Sequence, residues 1–274
     1  MVAEYKGAKY TAKVMNRNGY HIFLPNVGDI ADLKQSPPPN PYAESSTQLY
    51  PLGTKLMQGE RVWRYSKNGG TGLDIAAPLQ SAIAVHAEQN DDIVVGAASA
   101  IGVNTVTLTS TENLDGAPNN EANAFAEGYL IVNDEAGEGQ MYKIKENEAL
   151  VTTGNSIFTL YDNLTIALTT SSQVGIMKNP YDLVIATTAV MTAGFAGIPL
   201  IAVTASYYFW SQTGGPAPVN AKQAIPIGDI VVVGTTAAQV DLMAAFTTET
   251  IIGHAMTPAI ADGEYFMVFL SGDR

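Results

Sequence analysis

The chain has 274 residues, a formal net charge of −12, no cysteine, and 15 % charged against 46 % hydrophobic residues. The missing cysteine excludes disulfides, thiolate metal centres and a cysteine nucleophile, and the acidic balance argues against a nucleic-acid binder. The apolar share is enough for a core, and the length suits one large β domain or two smaller ones.

Charge is unevenly spread along the chain. Residues 1–67 hold nine Lys and Arg against five Asp and Glu, a net +4, and residues 68–274 hold the other five basic and 21 acidic residues, a net −16. A basic front suits docking on an acidic surface; the plainer reading is an uneven scatter of surface charge. Met1 to Gly19 has no apolar core of the kind a secretory leader carries.

In chain order, Tyr10–Val14 and Tyr20–Leu24 are short strand candidates around Asn16-Arg17-Asn18-Gly19, whose Asn-Gly marks a hairpin reversal. Residues 35–51 contain Pro37, Pro38, Pro39, Pro41 and Pro51. Proline runs hold an extended, unladdered chain, which at about 3.1 Å per residue spans roughly 50 Å. This piece reads as a linker or as an arm lying across a neighbour. Residues 52–66 resume β structure, broken by a hairpin at Gly59-Glu60. Asn68-Gly69-Gly70-Thr71-Gly72 is a turn, because no phosphate-loop lysine follows it. Residues 74–89 mix helix-favouring Ala and Gln with Pro78 and alternating Ile83 and Val85, and are expected to be extended.

Between 90 and 186, strands are expected at Ile93–Val95, Thr105–Thr109, Tyr129–Val132, Gln140–Lys145, Ile157–Tyr161 and Gln173–Met177. They are separated by Asn-, Asp- and Gly-rich turns at the spacing of a barrel or sandwich. Leu183 to Ala205 is uncharged and long enough to cross a bilayer. Gly194, Gly197 and Pro199 argue against a span, and Thr192–Gly197 reads as a turn between buried strands Leu183–Val190 and Leu200–Thr204. Ser206–Pro216 is the densest aromatic run and reads as a central strand covered on both faces. Tyr208, Trp210 and Gln212 alternate there with Tyr207 and Phe209. Ile230–Val233 is a further strand, Ala237–Phe246 the best helix candidate, and Ile251–Met256 with Glu264–Leu270 a closing strand pair.

The expected class is mainly β, built of sandwich or barrel units with short connecting helices. The expected domains are a basic segment and Pro-rich arm over 1–50, a discontinuous β domain from 51–89 and 187–274, and an inserted barrel or sandwich over 90–186.

No catalytic pattern emerges. His21, His86 and His254 are isolated, with no His-x-x-x-His pair for a metal and no Gly-x-Ser-x-Gly elbow. Asp134, Glu135 and Glu138 offer oxygens for calcium without the strict loop pattern, and read as a solvated turn. Neither an enzyme, a cofactor nor a resident metal is expected. Tyr207, Tyr208 and Trp210 leave open a sugar-binding platform, so a carbohydrate-binding module is one alternative.

Three groups of residues carry a resemblance. Leu52-Gly53-Thr54 with Gly59-Glu60-Arg61-Val62-Trp63-Arg64-Tyr65 is similar to a recurring start in virion proteins of tailed bacteriophages. Glu127-Gly128-Tyr129-Leu130 with Gly137-Glu138-Gly139-Gln140-Met141-Tyr142-Lys143-Ile144 resembles their middle. Tyr208-Phe209-Trp210-Ser211-Gln212 with Gly214-Gly215, then Ile251-Ile252-Gly253-His254-Ala255 and Asp262-Gly263-Glu264-Tyr265, resembles their end. The resemblance implies a head decoration, or cement, protein on the outer capsid surface, with the major capsid protein as partner, and it brings no catalytic residues. A decoration protein of this kind is expected to be a homo-oligomer, such as a trimer, and the charge balance and the breakers of 183–205 leave neither nucleic acid nor membrane as an expected partner. Residues expected to hold the partner are Lys6, Lys9, Lys13 and Arg17 of the basic front and Pro37, Pro38 and Pro39 of the arm. Another virion part, such as a tail or head-fibre component or a small capsid subunit, is the nearest alternative.

Overall fold

The computed structural model describes residues 14–17, 19–23, 39–91, 93–115, 121–189, 191–244 and 249–273. It is almost entirely β and divides into two compact units, Met1–Ala82 with Tyr181–Arg274, and Ile83–Pro180. In chain order the strands begin with β1 (Val14–Arg17), β2 (Tyr20–Phe23), β3 (Lys55–Gln58), β4 (Arg61–Lys67) and β5 (Leu79–Gln80). A four-residue helix α1 (Glu88–Asp91) precedes β6 (Ile93–Ala97), β7 (Thr105–Ser110), β8 (Tyr129–Asp134), β9 (Met141–Asn147), β10 (Gly154–Leu160) and β11 (Gln173–Met177). The chain ends with β12 (Ile185–Ala186), β13 (Phe195–Pro199), β14 (Tyr208–Asn220), β15 (Ile230–Val233), β16 (Val240–Leu242), β17 (Ile251–Ala255) and β18 (Tyr265–Ser271).

The discontinuous unit is one 12-stranded sheet whose main path runs β1-β2-β3-β4-β14-β18-β17-β15-β16, with β5, β12 and β13 off that path. Strand β14 is its hub. Its first half pairs antiparallel with β4 on one edge and β13 on the other, and residues 214–220 pair with β18. Alternation along it feeds three cores: Trp210 packs with Trp63, Tyr65 and Tyr50; Phe209 with Leu79 and Val184; Ala217 and Val219 with Val231, Ile252 and Val268. The aromatic run is thus a central strand buried on both faces, as its sequence implies. Strands of residues 52–66 pair with β2 and β14, so they belong to the discontinuous sheet.

The middle unit, expected over 90–186, runs from Ile83 to Pro180. Its six strands close into a barrel in the order β10-β7-β6-β11-β8-β9, every ladder antiparallel. Closure removes edge strands, and inward residues alternate with outward ones as the pleat requires. The core is Ile93, Val95, Val106, Leu108, Leu130, Val132, Ile144, Phe158 and their neighbours. Gly137 and Gly139, both at positive φ, turn the chain between β8 and β9.

Four expectations are corrected. The first hairpin pairs Val14–Arg17 with Tyr20–Phe23, so Asn16 and Arg17, expected in the reversal, are strand; residues 10–13 of the expected first strand lie outside the described residues. The second half of the turn expected over 192–197 is strand β13, and 200–204 is bent chain with one bridge, Leu73 to Val203. Gly197 marks a close approach instead of a turn: at φ 109° a Cβ there would lie 2.7 Å from the carbonyl oxygen of Gln212. The helix expected over 237–246 is in its described part a turn followed by β16, because Val240 is fully buried and β15 offers an open ladder; tertiary pairing overrides local helix propensity. Residues 74–89, expected to be extended, contain only β5 and the start of α1.

Candidate functional surface

The Pro-rich segment differs most from expectation. Its described part, 39–51, lies on its own sheet. Pro39 and Pro41 are buried, and Ser45 exchanges backbone hydrogen bonds with Tyr208 at 2.9 and 2.8 Å. The Glu44 carboxylate accepts from the N–H and hydroxyl of Thr204 at 2.7 and 2.8 Å. Tyr50 is 2 % exposed and packs its ring 5.4 Å from Tyr65 and 5.3 Å from Trp210. Pro39 is therefore part of this chain's own packing. Lys6, Lys9, Lys13, Pro37 and Pro38 lie outside the described residues, and Arg17 is placed only by its backbone in β1.

The basic residues of β3 and β4 are engaged within the sheet. Arg64 and Lys55 meet Asp273, Lys67 lies 5.7 Å from the Tyr208 ring centroid, and Arg61 covers Trp63 at 4.5 Å while donating to Gln212 Oε1 at 3.0 Å. Part of the basic front therefore serves cohesion. Burial alone would raise the Asp273 carboxyl, but hydrogen bonds and charge from Arg64, with Thr213 and Lys55, outweigh it and hold the group below the usual carboxylate range. Burial pushes the Tyr65 phenol well up, against the hydrogen bond it accepts from the Leu49 N–H.

The sugar-platform reading loses its central ring. Trp210 is 2 % exposed, and Tyr208 stacks on Tyr65 at 6.0 Å. The three histidines stay apart: His21 is exposed on β2, His86 lies 3.7 Å from Glu112, and His254 stacks on Phe269 at 5.5 Å. Among the described residues no three His, Asp or Glu side chains converge in a way that would hold a metal ion. In the turn between β8 and β9, Asp134 accepts the N–H of Glu135. Among the described residues no helix is long and apolar enough to cross a membrane.

In the barrel, Lys143 projects its ammonium between Tyr129 and Tyr161, 6.0 and 5.9 Å from their centroids. Burial lowers the Lys143 pKa against the opposing charge of Glu127. Burial raises the Tyr161 phenol, with Glu127 and Glu146 adding to it.

A groove of 480 Å³ lies on the discontinuous sheet, lined by Arg61, Pro216, Pro218, Thr257, Tyr265 and Met267 among others. Its floor is the β14–β18 ladder, where Pro216 faces Phe269, Pro218 faces Met267 and Asn220 faces Tyr265. Antiparallel sheets usually turn polar residues to solvent on the face away from the core. This one presents Pro218, Tyr265 and Met267, the last two 54 % and 41 % exposed. Sequence reading missed this face. Its signal was the uninterrupted apolar run Tyr265-Phe266-Met267-Val268-Phe269-Leu270, which implies cover on both sides of β18. An apolar groove without converging charged groups holds a protein surface more readily than it performs chemistry.

Comparison with protein-family models, with curated proteins and with solved structures yields no match.

Proposed function

We propose that the chain is a structural protein of a tailed-phage particle, a decoration protein bound to the outer surface of the assembled head with the major capsid protein as partner. One observation carries this reading. Of the sequence pieces that resemble decoration proteins, three fall on β4, β14 and β17, and a fourth ends at the first residue of β18, which lies between β14 and β17 in the same sheet. The middle pieces fall on β8 and β9, which are paired in the barrel. A resemblance of composition alone would scatter such pieces over unrelated elements. The role fits a sheet-built body, and many modest contacts repeated over a lattice give firm retention through effective concentration.

The test is co-sedimentation of the purified chain with assembled phage heads lacking it. Saturable binding is expected, weakened when Lys6, Lys9 and Lys13 are all replaced by Glu. A chain that stays in the supernatant at every concentration sinks the reading.

A further inference from the structure

We propose that the outward face of β18, with the two loops beside it, is a self-association surface that takes a second copy of this chain. Five large apolar side chains stand out together: Ile227, Met256, Ile260, Tyr265 and Met267, exposed by 65 %, 36 %, 76 %, 54 % and 41 %. Backbone pairing makes them one patch. Ile225 and Ala259 form a bridge, the Gly228 N–H donates to the Ala255 carbonyl at 2.8 Å, and the Met256 N–H donates to the Met267 carbonyl at 2.8 Å. Met267 in turn sits opposite the exposed Pro218.

Area speaks for a protein partner of matching size. Ile227, Ile260 and Tyr265 each leave more than half of their surface exposed, and contiguous exposed apolar surface of this kind marks an association site, where a standard interface buries ~800 Å² on each partner. Charge speaks for a second copy. Residues 83–180 carry three basic and 13 acidic residues, a net −10, while the discontinuous unit carries 11 and 13, a net −2. Two copies repel least through the nearly neutral unit. The acids flanking the patch are occupied within the chain: Asp262 pairs with Lys222 at 2.8 Å, and the Glu264 carboxylate accepts the N–H groups of Ile260 and Ala261.

The contact is face to face, not strand addition. β4 leaves β14 at Gly214, and no other described strand pairs along that edge over 216–220. Pro216 and Pro218 follow the alternation of Gly214, so their missing N–H groups fall on that edge. The Gln212 amide already donates to the carbonyls of Gly214 and Pro216 at 3.0 and 2.7 Å. Prolines on an exposed edge block an added strand. The surface stands independently of the particle reading.

Sedimentation equilibrium of the full chain over a wide concentration range tests this. The wild type is expected to show a mass that rises with concentration. The Ile260→Glu, Met267→Glu double variant should weaken association at least about tenfold, equivalent to about 1.4 kcal/mol. Ile101→Glu, at a 66 % exposed barrel position, should leave it unchanged. If the double variant melts early, Tyr265→Ser takes its place and is read the same way. A wild type that stays monomeric throughout overturns the proposal and makes any covering partner a different protein. A variant that associates as strongly as wild type overturns it as well.

Discussion

Arg64 grips Asp273 with both arms of its guanidinium, Nε 2.6 Å and Nη2 2.9 Å from the two carboxylate oxygens, across 209 positions of sequence. The same Arg64 donates to the Gly53 carbonyl at 3.0 Å, and Asp273 accepts from the Thr213 hydroxyl at 3.0 Å. One ion pair thus fastens the residues after β18 to β4, β14 and the turn before β3. Bidentate geometry makes this stronger than a solvent-exposed pair.

Asp273→Asn should therefore destabilise the discontinuous unit by about 1–3 kcal/mol at neutral pH, since Arg64 loses its charged acceptor. The folded carboxyl titrates below its unfolded value of roughly 3.9. The stability it supplies is thus fully present above that value and lost as pH falls through the lower folded pKa. Thermal melts at pH 7 should separate wild type from variant, and the gap should close as pH drops below about 4. A gap that persists unchanged at pH 2–3 assigns the effect to packing instead of charge.

A backbone device sits where β14 changes partners. Gly215 has φ 76°, and a Cβ on it would strike the Glu60 carbonyl oxygen of the β3–β4 turn. The ladder with β4 shifts register between Gln212 and Gly214, so strain and close approach meet at one residue. Gly215→Ala should cost about 2–4 kcal/mol from left-handed backbone strain together with overpacking. Denaturant unfolding measures this, and a loss below about 0.5 kcal/mol would show that the turn relaxes freely.

The legible parts of this fold were those whose pattern is local. Alternating apolar residues placed β6, β7, β8 and β11 within a few residues, and the aromatic run identified the hub strand. What stayed hidden depends on partners far along the chain. Val240 joins a strand because β15 waits beside it, and Gly197 is required by β14 passing within contact. The Pro-rich segment looks self-sufficient in sequence. Its anchors, Thr204, Tyr208 and Trp210, lie roughly 160 positions away. The apolar groove escaped notice because a strand with apolar residues on both faces reads as fully buried until its uncovered side is seen.

Independence of the barrel is a further expectation. Among the described residues its hydrophobic core lies within 93–176, and its ladders close on themselves. Residues 83–180 expressed alone should fold and melt in one cooperative transition. Phe158→Ala, which empties a fully buried site beside Phe125 at 6.3 Å, should destabilise that piece by about 3–5 kcal/mol. An isolated piece lacking near-ultraviolet circular dichroism and a cooperative melt would show that the barrel needs the rest of the chain.

Truncation can separate the packing of the segment ahead of β3 from the attachment proposed for it. Ile22 and Tyr50 are core residues, 0 % and 2 % exposed, whereas Glu44 holds its segment through hydrogen bonds at an exposed site. Tyr50→Ala should cost about 3–5 kcal/mol, as large aromatic deletions do, and Glu44→Ala only about 0.5–1.5 kcal/mol, the worth of ordinary hydrogen bonds. Deleting residues 1–13 leaves both core positions in place and should leave the melting temperature within a degree or two. Deleting 1–50 removes β1, β2 and Tyr50 and should lower it sharply. The shorter deletion is thus the one that separates attachment from folding. If removing 1–13 alone destabilises the sheet as much as removing 1–50, the basic front belongs to the core and cannot serve as a free docking segment.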